Sequence, residues 1–250
     1  REWALIRFQI WSDLISRGSR FRLGIFWLML NPIVMAAIYS FVLTVVRANT
    51  SAFDILIGIT VYNVYREAVM SGIVGIKNFN AGLKAERVRT SIFTMGLIGR
   101  RLVNALLISA GSSVVILSFF SASFHGTAIL ILLCLFSGIL IEGAFINLAP
   151  TVRLIPDLSN IIIYVNRLLF FISPVMYRFD QTSGIHRTFN SYNPLTYLIE
   201  GARVNLTESS AFDTASNLPF AILSTLSLLT IIGYLSIDRY RWNSSNWGNY

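Results

Sequence analysis

Cysteine is nearly absent: Cys134 is the only one in 250 residues, so no disulfide can form within the chain. The two histidines, His125 and His186, are far apart, and no zinc-ligand spacing occurs. The twelve acidic residues are scattered, with no DxxD or DxD cluster. Integral membrane prenyl and glycosyl transferases need such clusters for Mg²⁺ and diphosphate, so that class is disfavoured. No Gly-x4-Gly-Lys-Ser/Thr run is present, and "GIVGIK" lacks its spacing, so the chain is not expected to hydrolyse ATP. Neither an internal repeat nor a low-complexity linker divides residues 1–250, and a single membrane domain is expected. Charge is scarce as well. Only 13% of residues are charged, against about 25% in a soluble domain.

Apolar residues are abundant. They make up 54% of the chain, the mean hydropathy is +0.64, and they arrive in blocks. Each block is roughly 20 residues, enough to cross a hydrocarbon core of about 30 Å. A β-barrel would instead alternate in segments of about 10 residues. The expected fold is all-α and integral to the membrane, with six transmembrane helices: Leu23–Val46, Phe53–Ile76, Leu102–Ser121, Thr127–Leu148, Leu158–Tyr177 and Leu218–Ile237. The first oily run does not end in a small-residue cleavage site, so no secretory signal is expected there.

Loop charge gives the orientation. Of the twenty Lys and Arg residues, fourteen fall before the first span, between the second and third, between the fourth and fifth, or after the sixth. Four fall on the opposite side, and Arg66 and Arg167 lie inside spans. The positive-inside rule then places both termini in the cytoplasm. A net charge of +8 could also mark a nucleic-acid partner. Basic loops held against anionic lipid explain it better, so no nucleic acid is expected.

Three segments are not spans. Residues 2–17 form an amphipathic helix, with Trp3, Ile6, Ile10, Trp11 and Leu14 on one side and Gln9, Ser12, Asp13 and Ser16 on the other. Such a helix suits the membrane interface, although a soluble helix packed on a partner would look the same. The cytoplasmic connection 77–101 is long, basic and half polar, and reads as a projecting helix or a solvated loop. The external region 178–217 contains "FNSYNPLTYLIEGARVNL", too apolar for a free loop and too short to cross. A re-entrant pair of short helices fits it, with Pro194 at a permitted first-turn position.

Four ionisable residues fall at membrane depth: Arg66, Glu67, Glu142 and Arg167. Pairing of Glu142 with Arg66, and of Glu67 with Arg167, is expected, because sequence neighbours Arg66 and Glu67 point about 100° apart. Tyr62 and Tyr65 flank the first two charges, and Phe170 and Phe171 follow Arg167. These residues read either as a polar, aromatic translocation path suited to sugar faces or as interhelical packing. Asn31-Pro32 lies inside the first span, and a kink is expected there.

Several stretches together resemble the type-2 ABC exporter permeases: "RFRLGIFWLMLNP" at the first span, "PDL" at Pro156–Leu158, "FISPVMY" closing the fifth span, and "YNPLTYLIEGAR" after it. The closest likeness is to the polysaccharide branch, that of O-antigen and teichoic-acid permeases. One departure is "RVRTSIF", which lacks the Pro usual shortly after the coupling segment. The resemblance implies a homodimer in the bacterial inner membrane with two copies of a separate cytosolic ATPase. That partner holds ATP and Mg²⁺, and this chain binds no cofactor. The implied substrate is a polyprenyl-diphosphate-linked polysaccharide: an O-antigen, a teichoic acid or a cell-wall galactan. Export of drugs or small lipids is the alternative from the same fold. The implied coupling helix carries Asn80, Lys84, Glu86, Arg87 and Arg89. Arg20 and Arg22 would meet the lipid diphosphate first, since arginine forks suit phosphate. An outer gate would comprise Ser173, Pro174, Tyr177, Asn193, Pro194, Glu200 and Arg203.

Overall fold

A computed structural model of the chain describes residues 2–18, 26–45, 51–83, 90–120, 122–207 and 218–246. Arg20, Arg22, Lys84, Glu86, Arg87 and Arg89 lie outside the described residues. The described part is helical: α1 (Glu2–Gly18), α2 (Phe26–Val45), α3 (Ala52–Leu83), α4 (Thr90–Phe119), α5 (Phe124–Ile146), α6 (Ala149–Leu154), α7 (Asp157–Ile172), α8 (Gly184–Tyr192), α9 (Pro194–Thr207) and α10 (Leu218–Asn246). No strand occurs among these residues. Helix is what an apolar chain adopts where water cannot satisfy its backbone groups. Among the described residues, three helices are long and apolar enough to cross a membrane by themselves: α2, the 94–119 part of α4, and α5. The apolar part of α10 is the shorter Ile222–Ile237.

Local signals set several boundaries. Ser51 precedes α3 and accepts the Asp54 amide at 3.0 Å, while its hydroxyl donates to the Asp54 carboxylate at 2.7 Å. Ser123 caps α5 by accepting the Gly126 amide at 3.1 Å. Asn193 accepts the Leu195 amide at 3.0 Å, and Pro194 opens α9 where its missing N–H costs nothing. Other boundaries differ from expectation. The stretch 77–101 is not a loop end to end: α3 continues to Leu83 and α4 begins at Thr90, so helix occupies both flanks. Polar residues lower hydropathy there without interrupting the i→i−4 ladder. The fifth span stops at Ile172 rather than Tyr177, and α10 runs on past Ile237. The helix α2 continues through Pro32 to Val45.

The helix α5 is the centre of the bundle. It packs against α3, α4, α9 and α10 through small residues that let backbones approach. A Cβ on Gly72 of α3 would lie 2.6 Å from the Glu142 carbonyl oxygen, and one on Gly233 of α10 would collide with the Gly143 carbonyl. Val64 faces Gly138 and Gly72 faces Glu142, so α3 and α5 run parallel. The antiparallel α4 sets Ser112 against Thr60, with 2.6 Å between hydroxyls, and Arg101 near Glu67.

The helix α1 lies on α4. Ile6 is buried, and Ile10 and Gln9 meet the Cβ-free faces of Gly99 and Gly96. Gln9 therefore sits on the packed side, not the solvent side, because a glycine opposite leaves room for its amide. Trp3, Phe8, Trp11 and Ile15 are exposed, an apolar edge of the kind an interfacial helix presents to lipid.

Candidate functional site

Among the described residues, three polar groupings interrupt the apolar bundle. The first is an open cavity of about 300 Å³ between α2, α3 and α7. Tyr62, Asn63 and Arg66 are three and four residues apart on one face of α3, and Arg167 and Phe170 are three apart on α7, so each set converges. The Tyr62 and Phe170 rings meet edge-on with centroids 4.8 Å apart, and Tyr39 of α2 lies 5.1 Å from Phe170. The Tyr62 hydroxyl donates to the Asn166 carbonyl at 2.7 Å and fixes α7 against α3. Arg66 lies about 20 Å along α3 from Ala52, and Arg167 about 15 Å along α7 from Asp157, at 1.5 Å per residue. On insertion scales a lone arginine at mid-membrane depth costs about 2.5–3.5 kcal/mol. Arg167 is exposed, with its guanidinium 5.5 Å from the Tyr164 ring centroid.

The second grouping is sealed. Arg101 and Glu142 are 1% and 0% exposed and approach at 3.5 Å. Arg101 also donates to the Glu67 carbonyl at 2.8 Å, and the Ser71 hydroxyl donates to the other Glu142 oxygen. This corrects the expected pairing. Glu142 meets Arg101 rather than Arg66, because Gly138 one turn away leaves room for the Arg101 stem. Glu67 does not reach Arg167. It approaches Arg66 instead, at 4.0 Å, since long side chains on adjacent residues can bend together despite diverging Cβ directions.

The third grouping holds an unwound segment. After Ile172 the chain leaves helical geometry, and its carbonyls need donors. The fully buried Arg203 of α9 serves two of them. Its Nη1 donates to the Tyr177 carbonyl and to Glu200, both at 2.7 Å. Its Nη2 donates to the Val175 and Asp54 carbonyls, both at 2.9 Å, and its Nε lies 3.9 Å from the Asp54 carboxylate. Burial pulls the Arg203 pKa below its ordinary value, and the Glu200 and Asp54 carboxylates oppose that pull. Glu200 also accepts the Phe179 amide at 3.1 Å. The Ile172 carbonyl accepts from the Tyr177 hydroxyl and lies 2.8 Å from His186 Nε2. Asn193 donates to the Ser173 hydroxyl at 2.7 Å. From Asn193, α9 returns antiparallel to α5, beginning beside Ser137–Ile141 and ending beside Gly126.

A family model described as ABC-2 type transporter matches residues 5–207, from α1 to the end of α9. The chain belongs to the ABC-2 type transporter family. It is thus a multi-pass membrane component of an ABC transporter, a transport subunit. No curated protein matches it.

On this ABC-2 chain the expected gate residues do come together: Ser173 with Asn193, and Tyr177 and Glu200 with Arg203. Pro174 is buried beside them, and Pro194 follows Asn193. Of the expected path residues, Tyr62, Arg66, Arg167, Phe170 and Phe171 line the first cavity. Tyr65 instead faces a groove of about 840 Å³ shared with Leu169, Phe189 and Tyr192. Glu142 lies away from both. Asn80 is on the last turns of α3. Four residues were missing from the expected set: Tyr39, Asn63, Arg101 and Asp54. Two of them carry a sequence signal. Asn63 is three residues before Arg66, and Asp54 closes the Ser51-x-x-Asp capping pattern before an apolar run.

Proposed function

We propose that this ABC-2 chain is the membrane subunit of an ATP-driven exporter of a polyprenyl-diphosphate-linked polysaccharide, of the O-antigen, teichoic-acid or galactan type. It crosses a bacterial plasma membrane six times, through α2, α3, α4, α5, α7 and α10, with both termini in the cytoplasm. Two copies form the pathway and bind two copies of a cytosolic ATPase. The coupling contact is the junction of α3 and α4, around Asn80, Lys84, Glu86, Arg87 and Arg89, because two long helices flank it and would carry a push into the bundle. Arg20 and Arg22 receive the diphosphate. Substrate passes Tyr62, Arg66, Arg167 and Phe170, and the anchored segment around Ser173, Tyr177 and Arg203 closes the outer end.

The observation that carries this reading is the first cavity. It combines aromatic faces, which stack on sugars, with guanidinium groups at mid-membrane depth. A pure drug or lipid exporter has less use for two arginines there. The apolar groove at Leu169, Phe189 and Tyr192 favours that second reading. The test is to reconstitute the chain with its ATPase and follow ATP turnover. A lipid-diphosphate-linked oligosaccharide should stimulate turnover, and Arg20→Ala with Arg22→Ala should blunt the response. Stimulation by apolar drugs alone would favour the alternative.

A further inference from the structure

The cavity between α2, α3 and α7 carries more positive charge than the described residues neutralise. Glu67 approaches Arg66 only to 4.0 Å. No described carboxylate lies within ion-pair distance of Arg167, whose guanidinium lies over the Tyr164 ring. Asn63 lines the same cavity at 4% exposure, and its Nδ2 has no hydrogen-bond partner. Beside it, the buried Asn166 also leaves its Nδ2 unpartnered. The unneutralised groups, the two guanidiniums, offer donors only. Guanidinium groups have no acceptor; the Tyr62 hydroxyl donates to the Asn166 carbonyl, and Tyr39, Tyr62 and Asn63 add only neutral polar atoms to the lining. A neutral sugar offers hydroxyls that need both donors and acceptors. An oxyanion needs donors only, and two arginine forks suit its geometry.

We propose that this cavity binds the phosphate-type oxyanion of an amphiphile, held by Arg66 and Arg167, with the adjoining apolar part against Tyr39, Tyr62 and Phe170. As a mid-depth station for a lipid-linked substrate, the site rests on the export reading. As an anion site it stands without it. The two can fail separately, because binding needs neither ATPase nor glycan.

The test uses the purified full chain in nanodiscs of neutral phosphatidylcholine. Titration calorimetry compares hexadecyl phosphate, hexadecyl glucoside and inorganic phosphate. Hexadecyl phosphate should bind more tightly than the glucoside. Arg66→Gln and Arg167→Gln should each weaken it by about tenfold, the size of one charge-assisted contact, without changing glucoside binding. Competition by inorganic phosphate at similar concentration would assign the site to free phosphate, and lack of competition to a lipid headgroup. Should the Gln variants unfold, Arg66→Lys and Arg167→Lys replace them. These keep the charge, lose the fork and should weaken binding severalfold. Equal affinity for the phosphate and the glucoside, or unchanged affinity in the variants, would overturn the proposal. So would a cross-link placing a carboxylate of a second copy against Arg167.

Discussion

The buried arginines do different work from the exposed ones. Arg101 and Glu142 neutralise each other in the core, and taking either away leaves an unpaired charge there. Arg101→Met or Glu142→Gln should each cost about 3–5 kcal/mol. Cys134 gives the readout, since it is the sole cysteine and is buried, so a thiol-reactive dye reports unfolding on heating. Either variant should label at a lower temperature, and the double variant should lose less than the two single losses combined. Arg203→Lys should also lower that temperature, because an ammonium cannot reach the Tyr177, Val175 and Asp54 carbonyls and Glu200 together. Little of this could be read from the chain. Arg101 adjoins a basic stretch and counts as cytoplasmic by the loop-charge rule, and its partner is 41 residues away. Residue type gave Glu142 a need for a cation, but only the packing of α4 on α5 decides which one.

Among the elements, α7 and the segment after it carry the main departure from regular helix. A helix can end inside a membrane protein only where other groups satisfy its last carbonyls. Here Tyr177 and His186 meet the Ile172 carbonyl, Arg203 meets the Val175 and Tyr177 carbonyls beyond it, and Gly58 lets α3 press against the Val175 carbonyl. Gly58→Leu should therefore displace the 173–178 segment and lower the unfolding temperature sharply. Gly201→Ala should stay within about 0.5 kcal/mol of the parent, because a Cβ there meets only the Leu133 side chain at 3.7 Å. The same heat-and-label measurement decides both. The long apolar helices α2, α4 and α5 were legible, because blocks of roughly 20 apolar residues have few alternatives. Helix ends were less so. Hydropathy marks where apolar composition stops, whereas α3 and α4 continue as helix through polar residues.

At the scale of the whole molecule, the bundle is a set of helices keyed on α5, with one cavity lined by arginine and aromatics. The family could be read from four short stretches in order, since they fall at helix ends and turns where geometry restricts residue choice: the entry to α2, the turn into α7, the close of α7 and the start of α9. Substrate identity could not, since any anionic amphiphile with a sugar would ask for similar side chains. The export reading places α2 and α7 of two copies along one path. The purified protein should then run as a dimer in mild detergent, and light scattering that finds only single copies would contradict that arrangement. The most direct test of the central claim is transport itself. In proteoliposomes holding this chain and its ATPase, a fluorescent polyprenyl-diphosphate-linked oligosaccharide should cross to the opposite leaflet only with ATP, and several-fold more slowly with Arg66→Gln or Arg167→Gln. ATP-independent crossing, or ATP-driven crossing indifferent to both substitutions, would contradict the account.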